Sequence, residues 1–200
     1  QLIFHAEMAD SNRKTQILKG AARLFRKRGF TATSMRDIAS ELQIEAPSLY
    51  NHIRGKQEIL QILLLELARS FTSGLKIIKN STLSHEEQLE RLIRLHVELT
   101  IEHPNGMALL TSDWVHLEEP AFGQFTSMRD EYELAFRNIL IEAFKNKGKE
   151  SVNVDLALFS ILSTLRWLYS WFLKNPEINP IELEKEMIEN LLSGVFNQSK

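Results

Sequence analysis

The stretch from Thr33 to Leu60, TSMRDIASELQIEAPSLYNHIRGKQEIL, constrains the fold most, because its apolar residues fit two short helices with a tight turn between them. Met35, Ile38, Ala39 and Leu42 recur at i, i+3, i+4 and i+7, which buries one side of a two-turn helix and leaves Arg36, Asp37, Ser40 and Glu41 in water. Thr33 or Ser34 supplies the capping oxygen. Residues 43–46 are too few for another element, and Pro47 suits the first turn of a new helix, where its missing N–H costs nothing. On that second helix Leu49 and Ile53 face inward, so Ser48, Tyr50, Asn51 and His52 face outward. Hydroxyls, an amide and an imidazole thus stand where a surface helix ordinarily carries Lys and Glu. This is the helix-turn-helix pattern, whose second helix enters the DNA major groove.

Such a pair also occurs as a plain structural corner, and charge separates the two readings. Residues 1–56 hold ten Lys or Arg against five carboxylates, a balance of +5 within a chain whose net charge is −2. A basic quarter joined to an acidic remainder is expected when only one end meets phosphates.

Ile38-Ala39, Leu49-Tyr50 and the run His52-Ile53-Arg54-Gly55-Lys56-Gln57-Glu58-Ile59-Leu60 resemble the DNA-binding signature of the TetR family of one-component transcriptional regulators. In that family Ala-x-x-x-Gly-Val, Leu-Tyr-x-His-Phe and Lys-Glu-x-Leu recur at this spacing. Two positions depart from it. Gln43 stands where the family has a turn glycine, which implies a left-handed backbone at about 1 kcal/mol. Ile53 replaces a core Phe. The resemblance implies a repressor that binds a palindromic operator in double-stranded DNA. Ser48, Tyr50 and Asn51 are expected at base edges and nearby phosphates. Thr33, Ser34, Tyr50, His52 and Lys56 are expected on the backbone, and Ala46 and Pro47 set the approach of the helix. Lys56, in the first turn of the following helix, forms with backbone amides and the helix dipole an expected phosphate seat.

The rest of the chain is patterned as helix nearly throughout, so an all-α fold of about nine helices is predicted: a helix-turn-helix domain at 1–56 and a helical ligand-binding and dimerisation domain at 57–200. The first ten residues lack the basic start and apolar core of a signal peptide and are expected to be disordered or loosely helical. Ser11 or Asn12 is expected to cap a helix that ends at Gly29. A long helix from Gly55 to near Asn80 joins the two domains. Ser84-x-x-Glu87 forms a capping box for a helix that Pro104 stops. Further helices are predicted from Asn105, over 121–147 and 154–174, and from Pro180 with Ile181, Met187, Ile188, Leu191, Leu192 and Val195 on one face. The 154–174 helix is apolar almost all round, but Asp155, Arg166 and four hydroxyls argue against membrane insertion. A second copy of the chain explains it better, and the last two helices are expected to form a homodimer, as in TetR-like proteins.

Aromatic and sulfur side chains crowd the second domain. Leu99, Met107, Leu110, Trp114, Phe125, Met128, Tyr132, Phe136, Trp167 and Trp171 are the candidate lining of an adaptable apolar cavity, although each taken alone fits an ordinary core. Leu165-Arg166-Trp167-Leu168-Tyr169-Ser170-Trp171-Phe172 resembles the matching helix of TetR-type regulators of fatty-acid and sterol catabolism, which implies a small hydrophobic effector such as an acyl-CoA. Arg166 or a histidine would then hold its phosphate or carboxylate, with an ion pair as the structural role of Arg166. With no cysteine there is no thiolate zinc site, and the histidines have no ligand spacing, so neither metal nor cofactor is expected. No nucleotide loop, nucleophile elbow or carboxylate pair marks an enzyme. The expected location is the cytoplasm. The competing reading is an all-α lipid or acyl-group binding protein, or an enzyme, whose N-terminal corner is only structural.

Overall fold

The computed structural model describes residues 2–149 and 151–196, with side chains from residue 13 onward, residue 195 excepted. Among the described residues there are nine α-helices and no strand.

The first helix, α1 (Leu2–Arg28), begins at Leu2 rather than at Ser11 or Asn12, whose side chains lie outside the described residues. No proline or glycine interrupts residues 2–19, so nothing in the chain stops the helix from running back. It ends at Gly29, whose φ of 85° only glycine adopts freely. The short α2 (Met35–Glu41) starts with a capping box in which Ser34 and Asp37 satisfy each other's backbone N–H groups. The turn that follows puts Gln43 at φ 54°, the left-handed conformation its position implies. Then α3 (Ala46–Tyr50) carries Pro47 in its first turn and seals Leu49 completely.

From this head α4 (Lys56–Lys79) runs into the body. The body contains α5 (His85–Glu102), α6 (Pro104–Ser112), a 3-10 turn at Asp113–His116, α7 (Ala121–Asn146), α8 (Val154–Phe172) and α9 (Pro180–Phe196). Ser84 and Glu87 make the expected capping box on α5. Pro104 does more than stop that helix: it opens α6. On α9 the structure buries Leu183 and leaves Ile181 77% exposed, so Ile181 is not on the packed face; Val195 lies outside the described side chains.

Two apolar clusters fill most of the interior. The head's cluster does not stop at residue 56. It unites Phe25, Ile38, Leu49 and Ile53 with Leu60 and Leu64 of α4 and with Leu109, Leu117 and Phe125 of the body. The second cluster fills the body between α4, α5, α7 and α8. The head therefore rests on a shared core, and displacing α4 or α6 disturbs both. No described helix is long and apolar enough to cross a membrane.

Candidate functional site

The outer side of α3 is presented by packing beneath it. Leu49 and Ile53 are buried against the head core, which fixes the helix's roll and leaves Tyr50 56% exposed. Asn51, at the C-cap, and Pro47 are exposed beside it, while Ala46, Ser48 and His52 are half-buried. Ser34 is exposed at the start of α2; its N–H donates to Asp37 Oδ2 at 2.8 Å and its Oγ accepts from the Asp37 N–H at 3.2 Å. Hydrogen bonds from Ser34, and then the nearby Arg28, hold the Asp37 carboxyl below its ordinary range.

Two residues expected on the DNA backbone are placed otherwise. Thr33 is 1% exposed, and its hydroxyl donates to the Gly29 carbonyl at 2.8 Å, closing the end of α1. Lys56 turns inward: its Nζ donates to the carbonyls of Phe30, Thr31 and Thr33 at 3.0, 3.2 and 3.1 Å and sits 4.6 Å from the centre of the Phe30 ring. An ammonium has three N–H donors, and all three have acceptors within the protein. Lys56 thus pins the α1–α2 turn and is not an open phosphate seat. Sequence pattern does not show this, because the three carbonyls lie 23 to 26 residues away and carry no side-chain signature.

A polar seam joins head to body. Arg26 of α1 donates to Asn105 of α6 at 2.6 Å, the Phe30 N–H donates to the buried Asp113 at 3.3 Å, and Gln57 of α4 donates to the His116 carbonyl at 2.9 Å. The Phe30 and His116 rings stack at 5.5 Å. None of these partners stands out in the sequence.

Just above the seam lies a cavity of about 490 Å³, part of it open to solvent. Its wall is made by Ala68, Phe71 and Thr72 of α4, His96 of α5, Met107 and Leu110 of α6, Phe125, Met128, Arg129, Tyr132 and Glu133 of α7, and Leu162 and Arg166 of α8. Met107, Leu110, Phe125, Met128 and Tyr132 are therefore brought together as the aromatic and sulfur pattern suggests. Leu99 and Phe136 belong instead to the packed core. Trp114 stacks on Phe122 and Phe125 beneath the Arg129 guanidinium, next to the cavity but outside its wall. Trp167 and Trp171, which composition alone groups with the lining, stand 61% and 45% exposed on the outer face of α8. His96, Arg129 and Glu133 also line the wall but fall outside that aromatic and sulfur pattern. For the last two a signal existed, since they fall four and eight residues after Phe125, on the buried stripe of α7.

Three side chains of the wall carry charge, Arg129, Glu133 and Arg166, and Arg166 pairs with Glu133. Elsewhere the polar groups are neutral. Burial, helped by Arg166, pulls the His96 imidazole down to about 3, and burial pushes the Tyr132 phenol well above its ordinary range. No group of side chains suited to a metal ion occurs among the described residues.

An outward polar helix seated on a three-helix head, coupled through a shared core to a cavity-bearing helical body, is the architecture of a helix-turn-helix regulator of transcription. Comparison with known proteins specifies the kind. Residues 17–63 match the family model of bacterial regulatory proteins of the tetR family, and residues 82–195 match the tetracyclin repressor-like C-terminal domain. The chain belongs to the TetR family. It is 26% identical over 192 residues to the HTH-type transcriptional repressor KstR2 of Rhodococcus jostii, covering 92% of each chain. The solved structure of the ketosteroid transcriptional regulator KstR2 of Mycobacterium tuberculosis has the same fold, with a TM-score of 0.83 at 23% identity over 92% of this chain and 94% of that one. AibR, solved in complex with isovaleryl coenzyme A and operator DNA, superposes with a TM-score of 0.72 at 21% identity, over 88% and 96%.

Proposed function

We propose that this chain is a ligand-responsive repressor that binds a palindromic operator as a homodimer and is released by a small hydrophobic effector of the acyl-CoA class. The observation that carries the reading is the shared scaffolding of cavity and head. Through α4, Ala68 and Phe71 in the cavity wall are continuous with Lys56 and Gln57 at the head. Through α6 and the 3-10 turn, Met107 and Leu110 are continuous with Asp113, which holds the Phe30 N–H. A ligand that fills the cavity more comfortably in one setting of these helices shifts the population toward that setting, and the head moves with it.

In this reading Ser48, Tyr50 and Asn51 meet bases, while Ser34, His52 and the exposed Arg36 meet phosphates. The repressor role follows the relatives named above, and an anionic effector with an apolar tail suits a wall that is largely apolar and uncharged save for Arg129, Glu133 and Arg166. Homodimerisation is supported by the outer face of α8, where Leu156, Phe159, Trp167 and Trp171 are 61%, 67%, 61% and 45% exposed at helical spacing. Apolar surface of that kind marks an interface. The test is fluorescence anisotropy of labelled DNA from upstream of the protein's own gene, titrated with and without a series of acyl-CoA thioesters. Tight, salt-sensitive binding reversed by one member supports the reading; no affinity for any duplex, with retained ligand binding, favours the lipid-carrier alternative.

A further inference from the structure

His96 and Tyr132 are out of keeping with the rest of the cavity wall. Both are buried, and the Phe71 and Phe136 rings lie 4.6 and 6.5 Å from the imidazole. One hydrogen bond joins them, between Tyr132 Oη and His96 Nε2 at 3.0 Å, and His96 Nδ1 has no partner among the described residues.

Counting protons gives a result independent of tautomer. A neutral imidazole carries one N–H and a phenol one O–H. If Tyr132 donates to Nε2, the imidazole proton sits on Nδ1 and has no acceptor. If Nε2 donates to the phenol oxygen, the phenol proton has none. In both cases the pair retains one buried donor without an acceptor, and such groups in native proteins call for an explanation.

We propose that the His96–Tyr132 pair is a hydrogen-bonding subsite for a neutral carbonyl oxygen borne on the apolar part of the effector. The proposal rests on the cavity being the effector site, and adds to it what the effector's apolar portion must carry. A ligand carboxylate is disfavoured at this point, because the imidazole stays uncharged in its aromatic surroundings and supplies no counter-charge. A plain hydrocarbon leaves the donor unmatched. A carbonyl oxygen accepts the one proton left over without bringing a charge into the site.

Matched probes separate this from the parent reading: propionylnaphthalene, a neutral ketone, and propylnaphthalene, the same skeleton without the oxygen. Dissociation constants for the full chain are measured by quenching of tryptophan fluorescence, and the carbonyl stretch of the bound ketone by difference infrared spectroscopy. The expected preference for the ketone is about tenfold, the scale of one buried hydrogen bond made or lost. Each single variant, His96→Phe or Tyr132→Phe, keeps one donor; only the double variant removes both, and it should bind the two probes equally. The bound carbonyl band should lie below its position in an alkane solvent, and return toward that position in the double variant. Equal binding of both probes by the wild-type chain, or a ketone preference that survives the double variant, overturns the subsite while leaving the effector cavity standing. Binding of neither probe overturns both. Should the double variant not fold, an unshifted carbonyl band on the wild-type protein is by itself refuting.

Discussion

Replacing Lys56 with methionine keeps the length of the side chain and its contact with Phe30 but removes the ammonium that three carbonyls share. A hydrogen bond to a charged group contributes about 1.5–3 kcal/mol when its partners have no alternative. Here water can reach part of the turn, so the three bonds together should contribute about 2–3 kcal/mol, well short of their sum. For a chain of this size each kcal/mol moves the melting temperature by roughly 2–4 °C, so Lys56→Met should melt about 4–12 °C lower. Lys56→Arg should not restore it, because a planar guanidinium does not deliver three donors to carbonyls converging on one nitrogen. Operator binding should weaken at every salt concentration as the turn loosens. The slope of log affinity against log salt should change by much less than the roughly 0.9 lost with a direct phosphate contact. Thermal denaturation by circular dichroism and anisotropy titrations at several salt concentrations measure both quantities. An unchanged melting temperature together with a slope shallower by about one would make Lys56 a phosphate ligand and refute the reasoning.

Gln43 holds φ at 54°, so Gln43→Gly should stabilise the head by about 0.5–1 kcal/mol, read as a rise in the denaturant midpoint; a fall would show that the Gln side chain contributes more than its backbone strain costs. His96 is buried with its ionisation pulled down to about 3, whereas the unfolded chain protonates it near 6.5, so the unfolded state binds the extra proton between those values. Stability conferred by keeping it neutral is therefore complete above about pH 6.5 and declines by up to about 1.4 kcal/mol per unit as pH falls toward 3; His96→Phe should flatten that part of an acid-unfolding series, and an identical slope would count against its burial. Trp167→Glu places a charge on the exposed face of α8 and should convert dimer to monomer in light scattering while leaving helicity intact; a persisting dimer would move the interface elsewhere.

The helices and most of their limits, the start of α1 excepted, are readable because they depend on near neighbours. The stripe Met35, Ile38, Ala39, Leu42 and the boxes Ser34–Asp37 and Ser84–Glu87 act within one or two turns, so spacing alone determines them. The left-handed Gln43 and the terminating Gly29 belong to the same short-range class. By itself, then, the sequence determined an all-α chain with a helix-turn-helix head and the TetR likeness of that head. What tertiary structure alone decided is which way individual side chains turn once the helices pack. Trp167 and Tyr132 are both aromatic residues on apolar helices, yet one faces out and the other lines a cavity. Lys56 reads as a cation for phosphate until the fold brings three carbonyls around it. Composition records how apolar a residue is, but its direction depends on the roll of its helix against partners distant in the chain, and that roll is set only when the whole core closes.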